Sequence, residues 1–229
     1  MPIAGGLAQA ETWVFDLDNT LYPASSNLFD QIDRRMKEFI VDYLGISEDD
    51  ARALQKKYFR EFGTTLSGMM HNHNVVPGDY LAFVHDIDIS LIEPDPALMT
   101  ALDGLKGRKI IFTNASTSHA RRVLVRLGIE DMFDDIFDIV WSDYIPKPDA
   151  GIYQRLVADC GLDATRTVMV EDMARNLKPA AELGMTTVWV DTGLDWGRDG
   201  VDDGHIHHST DDLAHWLSEL RPYLLSGPA

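Results

Sequence analysis

The sequence predicts an α/β fold, in which a Rossmann-like, doubly wound parallel sheet carries an inserted helical cap domain. From about residue 101 onward, short apolar runs alternate with amphipathic helical patterns, and this alternation favours a parallel sheet with helices on both faces. A further apolar run, at 13–15, precedes a block that has only helical patterns. We therefore expect a core domain of residues 1–22 and 101–229 and a cap domain of residues 23–100.

The first strand, at 13–15, runs into turn-forming Asp and Asn residues. In the block that follows it, apolar residues recur at three- and four-residue steps, as on one face of a helix. Gly45 is a plausible end of the first helix, and Ser47 with three acidic residues behind it is a plausible start of the second. The cap helices are predicted at 26–44, 47–62, 64–71 and 77–84.

The core continues with strands and helices in alternation. Strands are predicted at 109–114, 136–141, 168–170 and 186–190. Helices are predicted at 118–127, 150–160, 177–183 and 211–220. Glycines behind two of these helices fit helix ends, and Thr210 is the expected N-cap of the last helix.

Composition limits the range of partners. The chain has 229 residues, of which 45% are hydrophobic, and a formal net charge of -17. Such an acidic protein repels nucleic-acid phosphate and anionic membranes, so we expect no nucleic-acid polymer and no membrane as a partner. No apolar stretch approaches the ~20 residues of a membrane span. The oligomeric state stays open.

The single cysteine, Cys160, rules out an intrachain disulfide, which fits a reducing compartment. We expect this thiol to serve in packing. The first eleven residues, MPIAGGLAQAE, contain no positive cluster and no long apolar run, so no signal peptide is expected. The protein is therefore predicted to be cytoplasmic.

Polar groups follow several of the predicted strands. In an open parallel sheet, ligands bind beyond the carboxyl ends of the strands, so these groups are expected to meet at one edge. They are Asp16, Asp18 and Thr20 after the first strand, Thr113 and Asn114 at the end of the second, Lys147 in a later loop, and Glu171 and Asp172 after the 168–170 strand.

These groups have compatible chemical roles. A carboxylate can attack phosphorus, and Asp16 is placed for this reaction. Asp18 can protonate the leaving alkoxide and then activate water. Clustered carboxylates and a phosphate repel one another, so a divalent cation is needed, and Mg²⁺ prefers such oxygen ligands. Asp16, Asp172 and the backbone carbonyl of Asp18 are the predicted ligands.

Thr113 and Asn114, whose backbone N–H follows it, are expected to bind the phosphoryl group, and Lys147 is expected to offset its charge and restrain Asp16. Each motif taken alone is also compatible with a purely structural role. Asp and Asn are common in turns without a catalytic reason, Thr113 and Asn114 could cap a helix, and Lys147 could be a surface lysine. The ordered set of motifs favours function.

The segments FDLDNTLYP, TNAS, KPD and VEDMARN resemble, in this order, the motifs of the haloacid dehalogenase superfamily. The resemblance implies that Asp16 is the nucleophile and Asp18 the acid/base. It also implies that Thr113 binds phosphate, that Lys147 is the family's lysine, and that the acidic metal site lies at 171–172. Dehalogenases of the superfamily lack an aspartate at the position of Asp18, whereas phosphatases and phosphomutases have one.

Several features look like the pyrimidine 5′-nucleotidase branch of this superfamily: DNTLYP, the helical insert, the segment VHDIDISLI and the EDMARN form of the last motif. The resemblance implies that the insert caps the active site. Glu171 replaces the commoner glycine before Asp172. We expect Asp172 to be the direct ligand, Glu171 to act through water or Lys147, and Asn176 to orient the phosphate-binding loop.

The histidines carry weaker signals. His205, His207 and His208 resemble a metal cluster but lack further ligands at useful spacing, so their role stays open. His71 and His73 do not share a helical face. His85, in the return from cap to core, is a candidate for substrate contact. Four apolar cap residues are expected to pack rather than to bind a base: Leu66, Met69, Met70 and Tyr80.

Taken together, the sequence predicts a Mg²⁺-dependent phosphatase that acts on a small-molecule phosphate ester through an aspartyl-phosphate on Asp16. A pyrimidine nucleoside 5′-monophosphate, UMP or CMP, is the expected substrate. A sugar phosphate or another metabolite is the nearest alternative. A phosphomutase, which returns phosphate to a second hydroxyl, and a non-catalytic binding module are further alternatives.

Overall fold

The computed structural model describes residues 5–225, so the predicted outer ends of the core domain, residues 1 and 229, and part of the N-terminal segment lie outside the described residues. The predicted fold class is confirmed. Six strands form one parallel sheet in the order β3-β2-β1-β4-β5-β6. The strands are β1 (Thr12–Phe15), β2 (Arg108–Phe112), β3 (Asp135–Phe137), β4 (Thr167–Glu171), β5 (Thr186–Val190) and β6 (His208–Thr210).

Helices cover the sheet and form the insert after β1. None of those in the described range is long and apolar enough to cross a membrane. They are α1 (Gly5–Ala8), α2 (Leu28–Leu44), α3 (Glu48–Phe62), α4 (Thr65–His73), α5 (Pro77–Val84), α6 (Pro96–Asp103), α7 (Thr117–Leu127), α8 (Ala150–Cys160), α9 (Ala174–Glu182) and α10 (Leu213–Leu225).

The central strand β1 is buried on both of its faces. Alternate residues of a strand point to opposite sides of the sheet, and here Trp13 and Phe15 pack with residues of α6, α7 and α10. Val14 packs on the other side, with residues of α8 and α9. Burial from both sides explains why the β1 sequence is a continuous apolar run rather than an alternating one.

Helices α2 to α5 enclose a separate apolar cluster that includes Ile40, Tyr58, Met69 and Tyr80. Ile139, from the loop after β3, lies in the same cluster, so the inserted helices pack directly on a core loop. Helix α6 belongs elsewhere, because it packs against α10 in the main core cluster. It crosses the boundary predicted at residue 100.

The predicted strand at 136–141 is wrong in length, because β3 ends at Phe137. The next residue, Asp138, turns the chain. Its carboxylate accepts hydrogen bonds from the backbone N–H of Trp141 at 2.8 Å and of Thr117 at 2.7 Å. The apolar residues that follow Asp138 therefore form turns that pack against the inserted helices.

Several helix starts also differ from the prediction by one to three residues, among them those of α9 and α10. Helix α9 begins at Ala174 rather than at 177, because the polar first turn carries little of the apolar pattern on which the prediction rested. Thr210 ends β6 and does not cap α10. The cap is Asp212, whose carboxylate accepts from the N–H of His215 at 2.9 Å.

Gly107 at the start of β2 offers a test of the sheet register. Its φ is +87°, and a Cβ there would collide with the carbonyl oxygen of Glu11, which also accepts the N–H of Arg108. We expect Gly107→Ala to lower the free energy of unfolding by about 1–3 kcal/mol more than Gly45→Ala. Gly45 also has a positive φ, of +65°, but faces open space, so its variant measures the backbone cost alone. Equal losses in urea unfolding would contradict the expectation.

Candidate active site

The strand order gathers the predicted site residues at one edge of the sheet. Because β1 lies between β2 and β4, the residues that follow these three strands are neighbours. The N–H of Asp16 extends the ladder by donating to the carbonyl of Val170 at 2.9 Å. The direction in which strands are added reverses at β1, which makes this edge the place where ligands bind in such sheets.

Lys147 holds the site together. Its ammonium donates to Asp16 Oδ1 at 2.7 Å, to Glu171 Oε1 at 2.8 Å and to the carbonyl of Phe112 at 2.8 Å. All three N–H bonds are therefore used, and the residue is only 1% exposed. The second oxygen of Asp16 accepts the hydroxyl of Thr20 at 3.0 Å. Both oxygens of the Asp16 carboxylate are thus held in a fixed orientation.

The two asparagines support these charged groups. Asn114 Oδ1 accepts the backbone N–H of Lys147 at 2.9 Å, and Asn114 Nδ2 lies 3.5 Å from the Lys147 carbonyl. Asn176 Nδ2 donates to Glu171 Oε1 at 2.5 Å. The amide of Asn114 therefore contacts the backbone of Lys147, and the amide of Asn176 contacts the carboxylate of Glu171. Thr113, which is expected to bind phosphate, is buried, and its hydroxyl accepts the N–H of Ala115 at 3.0 Å.

Asp16, Glu171 and Asp172 offer carboxylate oxygens that all lie within 4.8 Å of one another. Within residues 5–225 this is the only such group of His, Cys, Asp or Glu side chains. Glu171 is already engaged, because its second oxygen accepts the N–H of Met173 at 2.7 Å. Asp172 Oδ2 is buried and has no partner among the described residues. A free carboxylate oxygen beside Asp16 suits a divalent cation.

Burial and mutual repulsion perturb these carboxyl groups. Burial, followed by the charge of Glu171, raises the pKa of Asp16 to about 7 against the opposing effect of Lys147. Burial and the charges of Glu171 and Asp16 hold the pKa of Asp172 well above its usual range. Burial also acts on Glu171, but the charge of Lys147 and the hydrogen bonds to the carboxylate together outweigh it, and the pKa of that residue is lowered. A bound cation would relieve the repulsion.

Asp18 lies in a different environment. Its Oδ1 accepts the hydroxyl of Tyr22 at 2.6 Å and faces His119 Nε2 at 2.9 Å. Burial alone would raise the pKa of Asp18, but His119 and Tyr22 outweigh it and the pKa is lowered. Its Oδ2 accepts no hydrogen bond from the residues that the structure describes.

The loop between α3 and α4 lies over this edge. A Cβ on Gly63 would be 3.1 Å from the ring of Pro146, next to Lys147. Arg175 reaches the same loop from α9: its guanidinium carbon is 4.5 Å from the centre of the Phe59 ring, and one of its N–H groups points to the Gly63 carbonyl at 3.4 Å. The inserted helices are thus in contact with the loop that carries Lys147.

A model of haloacid dehalogenase-like hydrolases matches residues 11–184, a range that contains every predicted site residue. The chain belongs to this family. The likeness to the superfamily that the motifs carry is therefore confirmed. Membership leaves open which branch of the family the chain represents, so the nucleotidase branch stays a prediction.

Two curated relatives and one solved structure illustrate the likeness. "Phosphate metabolism protein 8" of Saccharomyces cerevisiae is 30% identical over 76% of this chain, which spans 60% of that protein's length. "Glyceraldehyde 3-phosphate phosphatase" of Methanocaldococcus jannaschii is 30% identical over 87% of this chain and 92% of its own. The structure of a HAD phosphatase from Thermococcus onnurineus has a TM-score of 0.62 at 21% identity, covering 96% of this chain and 100% of the other, which shows a shared fold.

The histidine tract does not form a metal cluster in the described structure. His205 Nε2 lies 2.7 Å from the carbonyl of Ala174, and His207 Nδ1 accepts the N–H of Thr187 at 3.0 Å. His73 forms a hydrogen bond with the Tyr58 hydroxyl within the inserted helices. Leu66, Met69 and Tyr80 are buried in the apolar cluster of α2 to α5, and Met70 packs against it, as expected for packing residues.

Several residues at this edge had no role in the sequence prediction. The sequence placed Thr20 beside Asp16 but predicted no function for it, and it did not predict Tyr22, His119 or Arg175 as site residues. Tyr22 lies only four residues after Asp18, so its contact with that carboxylate could have been expected from their spacing. His119 lies 101 residues away from Asp18, and no short-range pattern connects the two.

The unpartnered oxygen of Asp172 leads to a test of the cation site. We expect Mg²⁺ to raise the thermal unfolding midpoint of the wild-type protein, because a ligand that binds only the folded state stabilises it. Asp172→Asn should abolish this shift. It should also raise the midpoint without metal, because it removes a buried carboxylate that repels Asp16 and Glu171.

The control is Glu182→Gln, which neutralises an exposed carboxylate at the end of α9. It should leave the Mg²⁺ shift unchanged. A wild-type shift that persists in Asp172→Asn would place the cation elsewhere.

Proposed function

We propose that this hydrolase cleaves phosphomonoesters through an aspartyl-phosphate on Asp16. The observation that carries the proposal is the Asp16 carboxylate, oriented by Lys147 and Thr20 and accompanied two residues later by the carboxyl group of Asp18. The names of the two curated relatives, a phosphate metabolism protein and a phosphatase, support phosphate esters as the substrate class.

In the first step, an oxygen of Asp16 forms a bond to phosphorus while the bond from phosphorus to the ester oxygen breaks. The ester oxygen leaves as an alcohol because Asp18 gives it a proton. The negative charge of the bound phosphate favours the protonated form of Asp18 that this step needs. Lys147, held at the site, offsets charge on the phosphoryl group and on Asp16.

In the second step, water attacks the phosphorus of the aspartyl-phosphate and gives a proton to Asp18. The bond between phosphorus and the Asp16 oxygen breaks, which releases inorganic phosphate and restores the carboxylate. Asp18 is thereby protonated again and ready for the next ester. Thr113, with the N–H of the residue after it, is proposed to bind the phosphoryl oxygens.

Mg²⁺ is the proposed cofactor, held by the carboxylates of Asp16 and Asp172 and by the backbone carbonyl of Asp18. When bound, it would offset the negative charge of the carboxylates and of the phosphate. Glu171 is proposed to act indirectly, because its oxygens are engaged by Lys147, Asn176 and Met173. We propose that Asn114 holds Lys147 in place and that Asn176 does the same for Glu171.

The proposed substrate is a small phosphate ester, and a pyrimidine nucleoside 5′-monophosphate remains our first choice on the resemblance of the DNTLYP and EDMARN segments. A sugar or triose phosphate is the second candidate, and the name of the Methanocaldococcus relative favours it. The inserted helices α2 to α5 are proposed to act as the cap that selects the leaving group. A cytoplasmic location, suggested by the single cysteine, is part of the proposal.

The role of Asp16 predicts the behaviour of one isosteric variant. We expect Asp16→Asn to lower phosphate release by at least about 10³-fold, because an amide cannot replace the nucleophile. The measurement is inorganic phosphate released in the presence of Mg²⁺ or of a chelator. Glu182→Gln should match the wild type. Sustained release by Asp16→Asn would exclude an aspartyl-phosphate on this residue.

A second measurement decides the substrate class. Release is compared for UMP, CMP, AMP, GMP, glyceraldehyde 3-phosphate and several hexose phosphates. We expect the highest kcat/KM for UMP and CMP. Faster turnover of the sugar phosphates would keep the mechanism and replace the nucleotidase assignment. Transfer of phosphate to a second hydroxyl, without free phosphate, would indicate a phosphomutase.

A further inference from the structure

The imidazole of His119 is completely buried and has one ring hydrogen bond. Its exposed fraction is 0%, and Nε2 lies 2.9 Å from Asp18 Oδ1. Its Nδ1 has no partner among the described residues. A buried polar ring with a single partner is costly unless that bond is strong. The one hydrogen bond that the ring makes is to a carboxylate of the proposed reaction.

The pattern of partners fixes where the ring proton lies. A carboxylate oxygen can only accept, so Nε2 carries the hydrogen that points at Asp18. The Tyr22 hydroxyl donates to the same oxygen of Asp18 at 2.6 Å. Two donors therefore hold Oδ1, and Oδ2 is left without a donor from the described residues.

One face of α7 keeps the His119 ring in place. Ser116, His119 and Arg122 follow one another at three-residue steps, which places them on one side of the helix. Ser116 Oγ is 3.0 Å from Nδ1 of His85, and the His85 ring stacks on His119 with 4.4 Å between ring centres. Arg122 donates to the carbonyl of His85 at 2.7 Å. The chain returning from the inserted helices thus covers the imidazole.

We propose that His119 is a positioning residue, which donates from Nε2 to Asp18 Oδ1 and, with Tyr22, directs Oδ2 toward the leaving oxygen of the substrate. This inference rests on the proposed function. In the step concerned, the phosphorus–oxygen bond of the ester breaks and the proton on Asp18 Oδ2 passes to the departing oxygen. A carboxyl group that can rotate would present that proton in the wrong direction for part of the time, which slows the step.

The role can be separated from simple packing by the choice of leaving group. An alkyl phosphate ester needs a proton on its departing oxygen. The p-nitrophenyl ester does not, because the nitro group stabilises the phenolate that leaves. The value of kcat/KM reports the steps up to transfer of phosphate to Asp16. A loss of proton delivery therefore lowers kcat/KM for the alkyl ester selectively, whereas general damage to the site lowers both.

The test compares kcat/KM for p-nitrophenyl phosphate and for whichever alkyl ester the wild type turns over best. His119→Ala should lower the alkyl ester value by about tenfold more than the aryl value, a part of the contribution that general acids make. His119→Gln keeps an N–H donor at a similar reach and should recover part of the loss. Tyr22→Phe removes the second donor with little change in volume and should show the same selectivity.

His215→Ala serves as the matched control, since His215 is exposed on α10 and should change neither value. Unfolding midpoints are recorded for each variant. If His119→Ala does not fold, Tyr22→Phe and His119→Gln decide the question. Equal losses for both esters, or no loss for either, would overturn the positioning role while the wild type still hydrolyses phosphate esters. Failure of the wild type to hydrolyse either ester would instead overturn the proposed function.

Discussion

The buried ammonium of Lys147 is the interaction on which the rest of the site depends. Removing a charge from water costs several kcal/mol unless it is well paired, and Lys147 recovers this cost with two carboxylates and the Phe112 carbonyl. Asp16 and Glu171 share this one cation, while Asp172 adds a further carboxylate beside them. The cluster therefore carries an excess of negative charge when all three are ionised, which is the electrostatic reason to propose a divalent cation at this edge.

The position of Lys147 depends in turn on parts of the chain that are far apart in sequence. Asn114, two residues after β2, fixes the backbone of Lys147, and Gly63 between α3 and α4 leaves room for the neighbouring Pro146. Ile139, earlier in the same loop, is buried among the inserted helices. A change in how these helices pack would therefore reach the loop that carries Lys147, which couples the proposed cap to the charged cluster.

The parts that the sequence predicted are those with local signals. A carboxylate that directly follows a buried strand lies at the ligand-binding edge whatever the remaining contacts are, so the placement of Asp16 and Asp172 could be predicted from their positions in the sequence. The role of His119 could not be predicted in this way, because it depends on a contact between its ring and Asp18, which is 101 residues away in the sequence. Asn176 was predicted as a site residue, but its hydrogen bond to Glu171 was not, because the start of α9 and the direction of the amide depend on packing around Glu171.

Asp16 and Asp18 show how little a motif says about the chemistry of each of its members. The two carboxyl groups are two residues apart, yet burial and the charge of Glu171 raise the pKa of Asp16 to about 7. Asp18 faces donors from Tyr22 and His119, and its pKa is lowered despite burial. A cation held by Asp16 would lower its pKa, and the negative charge of a bound phosphate would raise that of Asp18, so binding of the two ligands moves both groups toward their proposed roles. Tyr22 and His119, which give Asp18 surroundings unlike those of Asp16, both lie outside the DxD pair. His119 belongs to α7, which follows β2 in the chain.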